Sequence, residues 1–68
     1  MNEEVFNLSI RKFLKNVGIR SQHEIEQAVR KAVADGRLSG KENIPTLMTL
    51  KIDKLNLTVN FNGEISLS

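Results

Sequence analysis

Few residues of this chain have the chemistry for catalysis, and their spacing does not assemble it. The single histidine, His23, is expected in the first turn of a helix beside Glu24 and Glu26, without the pocket and oriented partner that general-base work requires. One imidazole cannot hold a metal alone, and no cysteine is present to act as thiolate ligand, nucleophile or half of a disulfide. Ser9, Ser39, Ser66 and Ser68 stand in no nucleophile motif, and Ser21 has a structural task described below. The carboxylate pair Glu3 and Glu4 is accounted for by the positive end of a helix dipole. Gly18, Gly36, Gly40 and Gly63 are isolated and lack the spacing that cradles phosphate. The expectation is a protein that is not an enzyme, with no cofactor and no metal.

The residues with binding chemistry are Arg11, Lys12 and Lys15, crowded on the outer face of a first helix. Arg20, Arg30, Lys31, Arg37 and Lys41 could extend that positive surface. Nucleic-acid contact there would run through phosphates and fall steeply with salt. Glu24, Glu26 and Asp35 oppose it, and a formal net charge of +2 is thin for such a role. Two consecutive helices ahead of a hairpin also make half of a winged helix-turn-helix, though a third helix is missing. A different surface is apolar: Val5 and Leu8 lie off the buried stripe of that helix, and Phe61 falls in a loop. Leu38, Ile44 and Leu47 are similarly placed. These suit contact with a second copy or with another protein. A small interaction or regulatory module is the preferred reading, with a nucleic-acid-binding domain as the alternative.

Two helices must position these groups. Asn2 can cap the first, with Glu3 and Glu4 in its opening turn. Phe6, Ile10, Phe13, Leu14 and Val17 form its apolar stripe, and Gly18 ends it, giving a helix over about residues 3 to 17. Ser21 and Glu24 have the spacing of a capping box. They open a second helix over about 22 to 35, with Ile25, Ala28, Val29, Ala32 and Val33 on one stripe and Gly36 at its end. The short link Gly18 to Ser21 forces the pair into neighbouring packing as an αα-hairpin or corner.

After the polar stretch Arg37 to Ile44 the periodicity changes to two. Strands are expected at about 46 to 52, 55 to 60 and 64 to 68. A two-residue turn at Asp53-Lys54 would oppose Ile52 to Leu55, Leu50 to Leu57 and Met48 to Val59. A three-residue loop, Phe61-Asn62-Gly63, would then oppose Val59 to Ile65. The middle strand would be central, and Leu57→Ala the costly substitution. The resulting fold class is α+β, two N-terminal helices packed on one face of a three-stranded antiparallel meander, as one domain over residues 1 to 68.

The opening Met1-Asn2-Glu3-Glu4-Val5-Phe6-Asn7-Leu8-Ser9-Ile10-Arg11-Lys12-Phe13-Leu14-Lys15, then Val17-Gly18, Ser21-Gln22 and Glu24-Ile25-Glu26, resembles a family of small bacterial proteins of about this length and of unknown function. The resemblance covers the whole chain. It implies a bacterial source and an independent small protein, and it brings no catalytic or binding residues. At 68 residues, burial alone leaves a thin stability margin and oligomerisation is a common remedy. No run approaches the roughly 20 apolar residues of a membrane span. The start Asn2-Glu3-Glu4 lacks the basic and then apolar character of an export signal, so the expected location is the cytoplasm.

Overall fold

A computed structural model describes residues 1–68. The chain forms two compact units, Met1–Arg37 and Leu38–Ser68, and each is considered by itself. The first is one continuous helix, α1, over Glu3–Ala34. Asn2 caps it as expected: its side-chain oxygen accepts the Val5 N–H at 3.1 Å, and its carbonyl accepts the Phe6 N–H at 3.0 Å. Glu3 and Glu4 occupy the first turn and Lys31 the last, each matching the dipole.

The far end closes as a Schellman motif. The Arg37 N–H donates to the Ala32 carbonyl at 2.8 Å and the Gly36 N–H to the Val33 carbonyl at 3.1 Å. Gly36 stands at φ +78°, the left-handed conformation that its missing Cβ permits.

The break expected at Gly18 does not occur, so there is no αα-hairpin and no second helix at 22. A glycine inside a helix costs about 1 kcal/mol relative to alanine. Ending one helix and starting another strands four carbonyls and four N–H groups, which must then find other partners. No proline forces the exchange between Val17 and Ser21. Ser21 and Glu24 therefore lie mid-helix, where the backbone N–H groups a capping box would serve already have carbonyl partners one turn back. The two apolar stripes join because Leu14 and Ile25, like Val17 and Ala28, are eleven residues apart, close to three turns. Ser21→Ala, the loss of a cap in a two-helix chain, is expected here to leave stability unchanged or slightly higher. Gly18→Ala should add about 1 kcal/mol, since a Cβ at that position meets nothing within 4 Å. Thermal melting of the two variants checks both.

The second unit is a β-hairpin, with β1 over Asn43–Ile52 and β2 over Leu57–Ser66, paired antiparallel. There are two strands, and the three-stranded meander is overturned. The turn comprises a single 3₁₀ turn at Asp53–Leu55 followed by Asn56 at φ +51°. The Asn56 N–H donates to the Asp53 carbonyl at 3.1 Å. Asparagine tolerates the left-handed conformation better than other residues with a Cβ, which is how this turn closes without glycine.

Two residues join the turn that a two-residue loop would leave in a strand. Ile52 consequently faces Leu57 rather than Leu55, Leu50 faces Val59, and Met48 faces Phe61. The shift is even, so the apolar side chains keep their common face. Asn62 and Gly63 make no second turn. Gly63 keeps an extended backbone and pairs with Thr46, which fuses the expected second and third strands into β2. Phe61 is thus a strand residue, and Leu57 opens β2 next to the turn instead of lying mid-strand. Pro45 sits within β1, as an edge strand allows.

Candidate interaction surfaces

On α1 the basic residues Arg11, Lys12 and Lys15 are all exposed. They take part in none of the ion pairs, which join Arg30 to Glu26 at 3.4 Å, Arg37 to Asp35 at 3.2 Å and Lys51 to Asp53 at 3.7 Å. Leu8 is three and four residues before Arg11 and Lys12, so it stands one turn above them on the same side of the helix. Val5 lies one turn further up. The residues expected for protein contact, Val5 and Leu8, thus share a face with those expected for nucleic-acid contact. Phe61 belongs to the other unit.

Because α1 is unbroken, that outward face continues down to Glu26 and Arg30. The opposite side carries a single apolar stripe: Phe6, Ile10, Phe13, Leu14, Val17, Ile25, Ala28 and Ala32, interrupted by Ser21. Ala32 is the one buried residue of the chain.

The hairpin separates two faces just as cleanly. On one, the cross-strand pairs are Ile44 with Ile65, Thr46 with Gly63, Met48 with Phe61, Leu50 with Val59 and Ile52 with Leu57. The Thr46 and Gly63 pair leaves a shallow gap between bulkier neighbours. On the other face, Thr49 Oγ1 donates to Asn60 Oδ1 at 2.9 Å and Ser66 Oγ to Asn43 Oδ1 at 2.7 Å, hydrogen bonds that hold the register from the solvent side. Met48 and Phe61 remain 43% and 55% exposed. Sequence reasoning missed that Phe61 is central to this face, although its phase with Leu57, Val59 and Ile65 is the signal that places it there.

The loop that opens the second unit, expected only as connecting chain, holds a further feature. The Glu42 carboxylate accepts the backbone N–H of Ser39 at 2.8 Å, of Gly40 at 3.0 Å and of Lys41 at 3.1 Å. The Lys41 N–H also reaches Ser39 Oγ at 3.3 Å. Ser39 and Glu42 have the same spacing as Ser21 and Glu24, and here the carboxylate does reach back to the serine N–H, as in half of a capping box. The N–H of Ser39, first among the contacts, holds the Glu42 carboxyl down at about 2, against 4.5 for the ordinary group. A carboxyl lowered in the folded state stabilises above its unfolded value; that contribution fades as pH falls from about 4.5 and is gone below about 2. Side-chain carboxyl resonances followed against pH should show Glu42 titrating near 2. A midpoint near 4.5 would mean that the three N–H contacts are not held in solution.

No group of three or more acidic or histidine side chains converges in a way that could hold a metal ion, and no polar or charged residue is buried. Over residues 1–68 the sequence matches the family described as a family of unknown function, DUF6494. The chain belongs to that family. The match takes in helix, loop and hairpin alike, so the DUF6494 domain comprises both units. The whole-chain resemblance to a family of unknown function therefore holds. No curated protein and no solved structure matches this DUF6494 member. No helix of it is long and apolar enough to cross a membrane.

Proposed function

We propose that this protein is a small interaction module without catalysis of its own, completed by another polypeptide chain. The observation that carries the reading is the distribution of burial. Ala32 is the only buried hydrophobic residue, while Phe6, Ile10, Phe13, Leu14, Met48 and Phe61 each remain at least 40% exposed. A folded chain needs apolar burial to offset the conformational entropy of ordering its residues, and one buried alanine beside half-buried side chains such as Leu50, Val59 and Ile65 supplies little of it. Two amphipathic elements with ordered apolar faces fit a protein whose faces are covered by contact with another chain. A cytosolic setting belongs to the same proposal, supported by the lack of cysteine. So does a bacterial source, supported by the residues of the opening.

A second reading, nucleic-acid contact, is favoured by one observation: Arg11, Lys12 and Lys15 are free of ion pairs. The helix-turn-helix part of that reading is gone with the break at Gly18. An amide-shift titration with duplex DNA and single-stranded RNA, at low and then raised salt, separates the two. Under the interaction reading no salt-sensitive shifts cluster at Arg11 to Lys15. Shifts that do cluster there, and weaken when any of the three is replaced by alanine, would install the nucleic-acid reading instead.

A further inference from the structure

The stripe on α1 has an internal symmetry. Eight of its positions, Phe6, Ile10, Phe13, Val17, Ser21, Ile25, Ala28 and Ala32, are separated by 4, 3, 4, 4, 4, 3 and 4 residues, a series that reads the same in both directions about residue 19; Leu14 also lies on the stripe, and reversal sets it against Glu24. Sizes fall along it: the N-terminal half holds Phe6, Ile10, Phe13 and Val17, the C-terminal half Ser21, Ile25, Ala28 and Ala32. Resting on the interaction reading above, we infer that the occupant of this stripe is a second copy of the chain, its α1 antiparallel to the first across a two-fold axis near residue 19.

Reversal about that point sets Phe6 against Ala32, Ile10 against Ala28, Phe13 against Ile25 and Val17 against Ser21. Toward both ends bulky side chains of one helix meet small ones of the other, Phe6 with Ala32 and Ile10 with Ala28, while Phe13 and Ile25 bring two large side chains together nearer the axis. A parallel pair would set phenylalanine against phenylalanine and alanine against alanine, crowding one end and leaving the other empty. The stripe runs about 39 Å from Phe6 to Ala32 at the usual helical rise. Its eleven-residue recurrence, Phe6 to Val17 to Ala28 and Ile10 to Ser21 to Ala32, keeps it facing a partner with a slight right-handed supercoil.

Light scattering and sedimentation on the full chain give the mass, and spin labels give the arrangement. The protein has no cysteine, so Glu4→Cys and Gln22→Cys, both at exposed positions, each carry one label per chain. The expected result is a dimer whose labels lie below about 20 Å apart at position 22 and about 45 Å apart at position 4. Ile10→Asp should then shift the mass to that of a monomer and lose most of the helical signal. Equal short distances at both positions would indicate parallel helices and overturn the inference. A longer distance at 22 than at 4 would place the axis elsewhere and overturn it too. A monomer that is largely unfolded alone would refute the second copy while leaving the need for a different protein partner. A fully folded monomer would sink both readings.

Discussion

Gly18→Pro is expected to cost roughly 3 kcal/mol or more and to abolish much of the helical signal. Proline at this position removes an N–H from the middle of α1 and drives its ring against the carbonyl of Leu14, four residues earlier. A cost of that size is a large fraction of what a domain of 68 residues has in total. If the chain turned at Gly18, the same substitution would fall just beyond a helix end, where proline is common and tolerated. Circular dichroism with a denaturant midpoint decides the matter. An unchanged midpoint would restore the break and remove the continuous stripe with it.

Replacing Phe13 by alanine is expected to destabilise by about 3 to 5 kcal/mol, the loss for an aromatic side chain in a packed core. The comparison that gives this meaning is Leu8→Ala. In the single chain the two residues are similarly exposed, 58% for Phe13 and 63% for Leu8. An account based on the isolated chain therefore predicts similar small effects for both. Phe13 lies on the stripe and Leu8 on the opposite face, so only Phe13 is covered when a partner helix docks. Leu8→Ala should stay within about 0.5 kcal/mol, as for an ordinary surface site. Denaturant unfolding at fixed protein concentration compares the two. Equal small losses would show that nothing covers the stripe.

The legible parts of the fold were those set by local chemistry. Asn2 as a cap, Gly36 at the helix end and the change of period near Thr46 depend on residues within one turn of each other, and each is found. No break falls at Gly18 because two weak stop and start signals, a glycine and a serine with a glutamate three residues on, can both be absorbed into a longer helix. The same spacing at Ser39 and Glu42 gives no helix signal, because no helical pattern follows it. In the hairpin, parity places Met48, Leu50, Ile52, Leu57 and Val59 on one face, but it puts Phe61 in a loop and Leu55 in a strand, and it cannot choose between turns of two and four residues, because both preserve it. Asn56 was the deciding residue, and its left-handed backbone is a property of the closed turn rather than of a motif. Of the candidate contact residues, the sequence could place Val5, Leu8, Arg11, Lys12 and Lys15 on helix faces. The stripe's symmetry about residue 19 becomes visible only when the helix is known to be continuous.

A two-stranded sheet consists of nothing but edges. Both outer rims of the hairpin offer backbone groups to any other extended chain, and Leu57–Gly63 in β2 contains no charge and no proline, the composition that stacks into amyloid-like zippers. Pro45 in β1, Lys51 near the turn and Glu64 near the end of β2 are the residues placed to interrupt such stacking. Made alone and at high concentration, the hairpin is therefore expected to add further strands at these rims and aggregate.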